Sequence, residues 1–508
     1  MITRLYSATV IGVEGVEVEV EIDLKPAAEK RTFIVGLPDT AIKESTHRVE
    51  SAISNSDLPE GQGIFVVNLD PADIKKQGPS FDLAIALGIV ACTISQPIDA
   101  KDWSIIGELA LDGSVRAVQG ILPQIIAARE QGKRYMMVPS ANAQEASVVH
   151  GIDIYPVDTL KEAWLLLTRD GLPTPYVTHE YSEAPNEFHI DFDEIKGQAY
   201  ARRAMEIAAA GHHNILLSGS PGSGKSMLAQ RIPTILPTLR DNEALETSKI
   251  HSVCGLLSRE SGLMRQRPFR APHHTISDVG LMGGGSTITP GEISLAHHGV
   301  LFLDELPEFK RATLETLRQP IESGQIIISR ASGTMTFPSR FMLAAAMNPC
   351  PCGYLGDARR RCSCSPSQIA RYKQKISGPL LDRFDLMMEV PAVDPKLLTT
   401  APTGESSAKI RERVEQARNI QTQRYEGTTI KYNAMLSGKS LKQFCPLSTS
   451  CQEIISHAVD QLSLSARAFD RIIKVARTIA DLASEVDILE HHLYEAIQYR
   501  SFETKLRT

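Results

Sequence analysis

The 508-residue sequence predicts a multi-domain α/β protein: an N-terminal α+β region, a central α/β domain and a C-terminal α-helical region. Three observations predict it. Val16-Glu-Val-Glu-Val-Glu-Ile22 alternates apolar and acidic residues with period two, the mark of a strand with one wet face. Asn214-Ile-Leu-Leu-Ser218, an apolar run, leads into Gly219-Ser220-Pro221-Gly222-Ser223-Gly224-Lys225-Ser226 and then helix-forming Met227-Leu-Ala-Gln-Arg231, so strand, glycine loop and helix follow in order. From Ala408 the pattern is helical almost to the end, as in an α-bundle.

Composition sets the outer limits. Hydrophobic residues at 42% and charged residues at 22% give the balance of a soluble globular chain, long enough for two or three cores. The sequence contains no run of 18 apolar residues, and the first residues have no secretory core or cleavage site, so a cytoplasmic protein without a membrane span is expected. A net charge of −6 does not announce a nucleic-acid binder; local clusters must make that case. Eight cysteines in a reducing compartment argue against a disulfide framework.

In the N-terminal region, residues 1–168, Thr40 to Asn55 reads as a helix capped by Asp39, with Ile42, Val49 and Ile53 on one face. Residues 169–187 are polar and proline-containing, a linker. The central domain spans 188–392. In its glycine loop, backbone amides close around phosphate oxygens, the helix N-terminus adds positive potential, and Lys225 reaches the outer phosphates while Ser226 ligates Mg²⁺. Val300-Leu-Phe-Leu-Asp304-Glu305 is an apolar strand ending in two carboxylates. Asp304 would hold the Mg²⁺ shell and Glu305 would polarise the attacking water. The plain alternative is an acid pair opening a helix. A third strand, Phe341 to Met347, ends at Asn348, suited to orient a lytic water; alone it would be an ordinary turn residue before Pro349. These residues point to ATP and Mg²⁺ as cofactors. Residues 408–508 form the helical region, after a loop around 399–407.

Cys350, Cys352, Cys362 and Cys364 offer four soft ligands, enough for tetrahedral Zn²⁺, although C-x-C is tighter than the usual knuckle and reduced loop thiols are the alternative. Around them Arg359, Arg360, Arg361, Arg371, Lys373 and Lys375 face a single acid, Asp357. Such a loop can grip a phosphate backbone without reading sequence, or be only a solvated charge run. Ile328 to Met335 has the pattern of a hairpin, and Gly280 to Gly285 that of a polar loop. Adjacent His273 and His274 point apart on a strand, so local hydrogen bonding is expected rather than a metal site.

Several stretches together resemble one family: Asp193-Glu-Ile-Lys-Gly-Gln198, Pro290 to Gly299, Asn348-Pro-Cys-Pro-Cys-Gly353, Leu380-Leu-Asp-Arg383-Phe-Asp385 and Ala476 to Leu482. The chain resembles the magnesium-chelatase-like branch of AAA+ ATPases, and within it the ComM (YifB) family, over essentially its full length. The resemblance implies an N-terminal Lon-like (ribosomal S5-type) α+β domain, a central AAA+ domain and a C-terminal helical lid. It implies homohexameric, ATP-driven DNA motors, helicases of branch migration that promote integration of transforming DNA by homologous recombination. Single-stranded or branched DNA and recombination proteins are the implied partners. Arg383 resembles the arginine finger, the alternative being a surface arginine paired with Asp382 or Asp385. Arg467 resembles the sensor 2 arginine, with Arg471 close enough to be confused with it. The resemblance implies that loops such as Gly280 to Gly285 and the Ile328–Met335 hairpin touch the translocating strand, which selects Arg330 as a DNA contact. Gln77-Gly-Pro-Ser80 and Gly107 to Gly113 resemble the Lon protease domain, with Ser80 at the nucleophile's position. Gly120-Ile-Leu-Pro-Gln124 has no lysine where that fold's base should lie, so no peptidase activity is expected unless Lys75 or Lys76 substitutes. The other readings are a magnesium-chelatase-type protein-remodelling ATPase and a protease factor.

Overall fold

The computed structural model describes the chain except residues 1, 170, 178–188, 258–261, 286–287, 331–332, 358, 393–403, 463–464 and 508, and the side chains of 504–507. Most of the expected linker and part of the 399–407 loop therefore lie outside the described residues. The chain divides into two compact units, Met1–Ala184 with Asp241–Met264, and Pro185–Arg240 with Arg265–Thr508.

In the first unit, a four-stranded sheet runs in the order Ile2–Ile11, Glu14–Lys25, Ile64–Asp70, Arg31–Val35. Alternation in Glu14–Lys25 works as the sequence requires: Val18, Val20 and Ile22 are buried, and the acids between them are less so. Against that face packs the helix Asp82–Ile94, apolar but for Asp82 and Thr93, with Thr40–Asn55 beside it, capped by Asp39 Oδ1 accepting the amide of Ile42 at 2.9 Å. A parallel three-stranded sheet, Trp103–Ile105, Tyr135–Pro139 and Asp153–Val157, completes the α+β unit.

The helix Asp241–Val253 corrects the expected boundaries, which placed it in the central domain. It belongs to the first unit, where the Gly120 amide donates to Ser252 O at 3.0 Å and Lys249 pairs with Glu14 at 2.5 Å.

The second unit holds a five-stranded, all-parallel sheet ordered Phe269–Arg270, Val300–Leu303, Met342–Met347, Ile215–Ser218, Leu386–Glu389. Its central strands are buried on both faces, which is why they read as unbroken apolar runs. The C-terminal helices Ser407–Arg424, Thr449–Gln461, Ala466–Leu482 and Glu490–Arg507 share one apolar core with this sheet, from Phe192 through Ile215 to Tyr499. The expected lid is thus continuous with the core rather than a separate body.

Candidate functional site

The strand Ile215–Ser218 ends at the glycine loop, and the helix Lys225–Ile235 starts directly after it. Gly222 (φ +77°) and Gly224 (φ +88°) occupy left-handed backbone that a side chain would strain, and this geometry curls the loop into a cradle. Lys225 is buried, and its ammonium donates to Gly219 O at 2.7 Å, Ser220 O at 3.0 Å and Asn348 Oδ1 at 3.2 Å. Burial pushes its pKa down, and the Asp304 charge pulls it part of the way back. Ser226 Oγ donates to Asp304 Oδ2 at 2.6 Å, so the two oxygens expected at Mg²⁺ converge, as a small hard cation requires. Parallel pairing sets this convergence: Ile215–Ser218 and Val300–Leu303 flank Met342–Met347, which brings Lys225, Asp304 and Asn348 to one end of the sheet.

Glu305 is exposed and sits at φ +52°, a conformation that costs a residue with a side chain on the order of 1–3 kcal/mol. Its Oε2 lies 3.3 Å from His274 Nδ1, while His273 Nδ1 engages Thr275 Oγ1 at 2.9 Å. Local bonding of both histidines was expected; the Glu305 partner was not, since only the fold brings residues 274 and 305 together.

Arg383 and Arg467 lie elsewhere. Both line a cavity of about 470 Å³ together with Asn214, Glu322 and Phe341. Asn214 precedes the phosphate strand and Lys225 follows it, so a strand of about 13 Å separates these arginines from the phosphate loop of their own chain. Arg383 is buried and pairs with Glu322, neither Asp382 nor Asp385, and its Nε has no partner. Arg467 is exposed, 3.4 Å from Asp382 Oδ2. Arg471 is distinguished from it by position: buried, 3.7 Å from Asp385 Oδ1, and donating to Phe384 O at 3.1 Å.

The segment carrying Arg383 is held tightly. Arg500 also donates to Phe384 O at 2.5 Å, and Asn214 Nδ2 donates to Arg383 O at 2.9 Å. Asn214 Oδ1 in turn accepts the Leu343 amide of the Asn348 strand at 2.8 Å. Burial opposes the charge of Asp385, but the His213 hydrogen bond and charge, with Arg471 and Lys474, outweigh it and bring the carboxyl to about 2. His213 then contacts Thr478 Oγ1 at 2.7 Å, on the C-terminal helix Ala466–Leu482.

The four cysteines stand together. Cys350, Cys352 and Cys362 sulfurs stand 3.4–3.7 Å apart, and the four ligand atoms lie within 4.8 Å of one another. A tetrahedron with Zn–S near 2.3 Å has edges of about 3.8 Å, so the set fits Zn²⁺. Arg359, Arg360 and Arg361 are exposed beside it. Arg330 ends the first strand of a hairpin, Gln325–Arg330 with Gly333–Pro338, whose turn residues 331–332 are outside the described set. A Cβ on Gly284 would stand 3.6 Å from its guanidinium, so the two loops singled out in the sequence adjoin.

In the N-terminal unit, Ser80 is buried in a short turn of helix, and Gln124, in the stretch where a base was sought, donates to Gly120 O at 3.1 Å. The Lys76 ammonium is buried and donates to Leu69 O at 2.9 Å and to Pro71 O.

Comparison with known proteins agrees with this geometry. Family models described as magnesium chelatase subunit ChlI match residues 191–398, as subunit ChlI of Mg-chelatase 18–142, and as the ChlI C-terminal region 404–500. Competence protein ComM of Haemophilus influenzae is 44% identical over 98% of this chain and 97% of its own. YifB of Escherichia coli is 41% identical over 99% and 97%. Lon protease 2 of Bacillus subtilis is 27% identical over 29% of each chain. With a phosphate loop, an acid pair and full-length identity of this order, the chain belongs to the ComM/YifB family, magnesium-chelatase-like AAA+ ATPases with a Lon-protease-like N-terminal domain.

Proposed function

We propose that the protein is an ATP-driven DNA motor that works as a homohexameric ring with each ATP site shared between neighbours. One observation carries this reading: Arg383 and Arg467 line a cavity at the far end of the phosphate strand from Lys225, so a chain supplies its arginines to a neighbour rather than to itself. Lys225 and the loop residues Gly219 to Gly224 bind the phosphates, and Ser226 and Asp304 hold Mg²⁺. Mg²⁺, when bound, offsets the charge of the β- and γ-phosphates. Glu305 and Asn348 orient the attacking water, Glu305 once it leaves His274. The neighbour's Arg383 offsets charge developing on the γ-phosphate, a contribution of about 10³–10⁵ in rate for arginine fingers.

The proposed backbone contacts are Arg330 on its hairpin and Arg359, Arg360 and Arg361 on a loop that Cys350, Cys352, Cys362 and Cys364 would pin through Zn²⁺. The Haemophilus influenzae relative, a competence protein, fits a partner of this class, single-stranded or branched DNA met alongside recombination proteins. The chelatase-type remodelling reading is favoured by the description of all three family models, but it leaves the basic loop without a role.

Unwinding of a forked or three-stranded DNA by the parent, and its loss in Glu305→Gln, tests the motor. ATP turnover indifferent to any DNA counts against it, and a chain that stays monomeric with ATP and a fork sinks it. Arg383→Ala should bind ATP yet not turn it over, and mixing it with Lys225→Ala should restore activity. Metal analysis should find zinc in the parent and none in Cys362→Ser; no zinc in either removes that site.

A further inference from the structure

The cysteine loop and the phosphate loop touch at several points that neither motif requires. Gly353, at φ +85° just after the first cysteine pair, packs so closely that a Cβ would stand 2.6 Å from Pro221 Cδ. The Arg359 amide, and the Ser220 side chain of the phosphate loop standing beside it, hold the Asp357 carboxyl below the usual carboxylate range. Its Oδ1 also accepts the main-chain amides of Arg359 at 2.7 Å and Arg360 at 3.0 Å. On the return helix Pro366–Lys373, Tyr372 is buried beside the backbone of Asn348. Three residues on, Lys375 Nζ lies 3.2 Å from Glu308, in the turn that follows Glu305.

Asp357 is the hinge of this arrangement. One carboxylate holds the main chain of the basic run on one oxygen and stands beside the first side chain of the phosphate cradle. A displacement of the Arg359 and Arg360 amides therefore acts on the phosphate loop through one carboxylate beside Ser220 and through the Gly353–Pro221 contact, which leaves no room for slack. Arg359 to Arg361 are exposed and cationic, so a polyanion is the ligand class able to produce that displacement.

We propose that Asp357 is a positioning residue that couples engagement of a single-stranded polynucleotide backbone at Arg359–Arg361 to the shape of the phosphate loop, so that the strand and ATP strengthen each other's binding. The proposal rests on the DNA-motor reading above and adds the route by which the strand speaks to the ATP site. Coupling between two ligands is reciprocal, so it can be read from binding alone, without turnover.

The test uses the full-length protein, an oligothymidylate and a non-hydrolysable ATP analogue. In the parent, saturating oligothymidylate should tighten analogue binding by roughly 5- to 150-fold, the usual span of such couplings. Asp357→Ala should bring that factor to within about two-fold of unity while leaving the oligonucleotide-free analogue affinity and the melting temperature near the parent's. Asp357→Asn should rescue most of it, because its Oδ1 still accepts both amides and its amide group can donate to Ser220. Should Asp357→Ala fold poorly, hydrogen exchange on the parent decides: amides of residues 219–226 should gain protection when oligothymidylate alone is added. Full coupling in Asp357→Ala, or unchanged exchange in the parent despite oligonucleotide binding, overturns this inference and leaves the motor standing. A parent that binds no oligothymidylate overturns the motor reading itself.

Discussion

Two lysines, one in each unit, are buried against main-chain carbonyls, and they do opposite things. Lys76 donates to Leu69 O and Pro71 O, and Lys225 to Gly219 O and Ser220 O. Burial lowers the pKa of each, with acids opposing it: Asp70 and Asp73 for Lys76, Asp304 for Lys225. The difference lies in what surrounds the ammonium. Around Lys225 are a glycine cradle, a hydroxyl–carboxylate pair and the Asn348 side chain, where the proposed reading exchanges a carbonyl for a phosphate oxygen. Lys76 meets carbonyls that close a turn, with no ligand to exchange for. A buried lysine is a binding group only where its neighbours can let go of it.

Substituting both lysines breaks or confirms the contrast. Lys225→Ala should weaken nucleotide binding by roughly 100-fold or more, the loss of a charged contact of about 3 kcal/mol, with little change in melting. Equilibrium binding of a fluorescent ATP analogue reads this. Lys76→Ala should do the reverse, lowering the stability of the N-terminal unit by about 1–3 kcal/mol because two buried carbonyls lose their donor, with nucleotide affinity intact. Calorimetry should show one transition move. A fluorophosphonate should leave Ser80 unlabelled, since a lysine held as a strut does not serve as a base; labelling would make Lys76 catalytic and erase the contrast.

His274 sharpens the nucleotide side. Freeing Glu305 by His274→Ala should raise DNA-independent turnover several-fold, on the order of 1 kcal/mol in barrier, and an unchanged basal rate would reduce the 3.3 Å contact to packing.

The smallest effect belongs to Asp82, whose carboxyl burial pushes up to about 6 against the opposing Arg48 at 3.0 Å. A raised folded-state value stabilises below the unfolded value of 3.8 and loses that contribution as pH climbs through about 6. The stability difference between parent and Asp82→Asn should therefore tilt against the parent between those pH values and stay level above them. A pH-independent difference would show the Arg48 pair keeping the group ionised throughout.

Much of the nucleotide end was legible in the sequence because each motif is local: a strand, its loop and the first residues after it lie within a dozen positions. The hairpin at Arg330 and the cysteine cluster were legible for the same reason. What escaped depends on residues far apart in the chain. His274 on Glu305, Glu322 on Arg383 and Asp357 on Ser220 are side-chain meetings that no spacing rule encodes. The helix Asp241–Val253 was misassigned because it buries Thr247, Ser248, His251 and Ser252 along with Ala244 and Ile250. A mostly polar buried face has no apolar stripe to say where it packs.

The Phe384 carbonyl, gripped by Arg471 and Arg500 from two C-terminal helices, has a mechanical consequence. If Arg383 is the finger proposed above, it does not swing on its own side chain but advances or retreats with the whole helical block behind it. Substitutions deep in those helices, remote from any phosphate, should then register as faulty timing between neighbouring subunits.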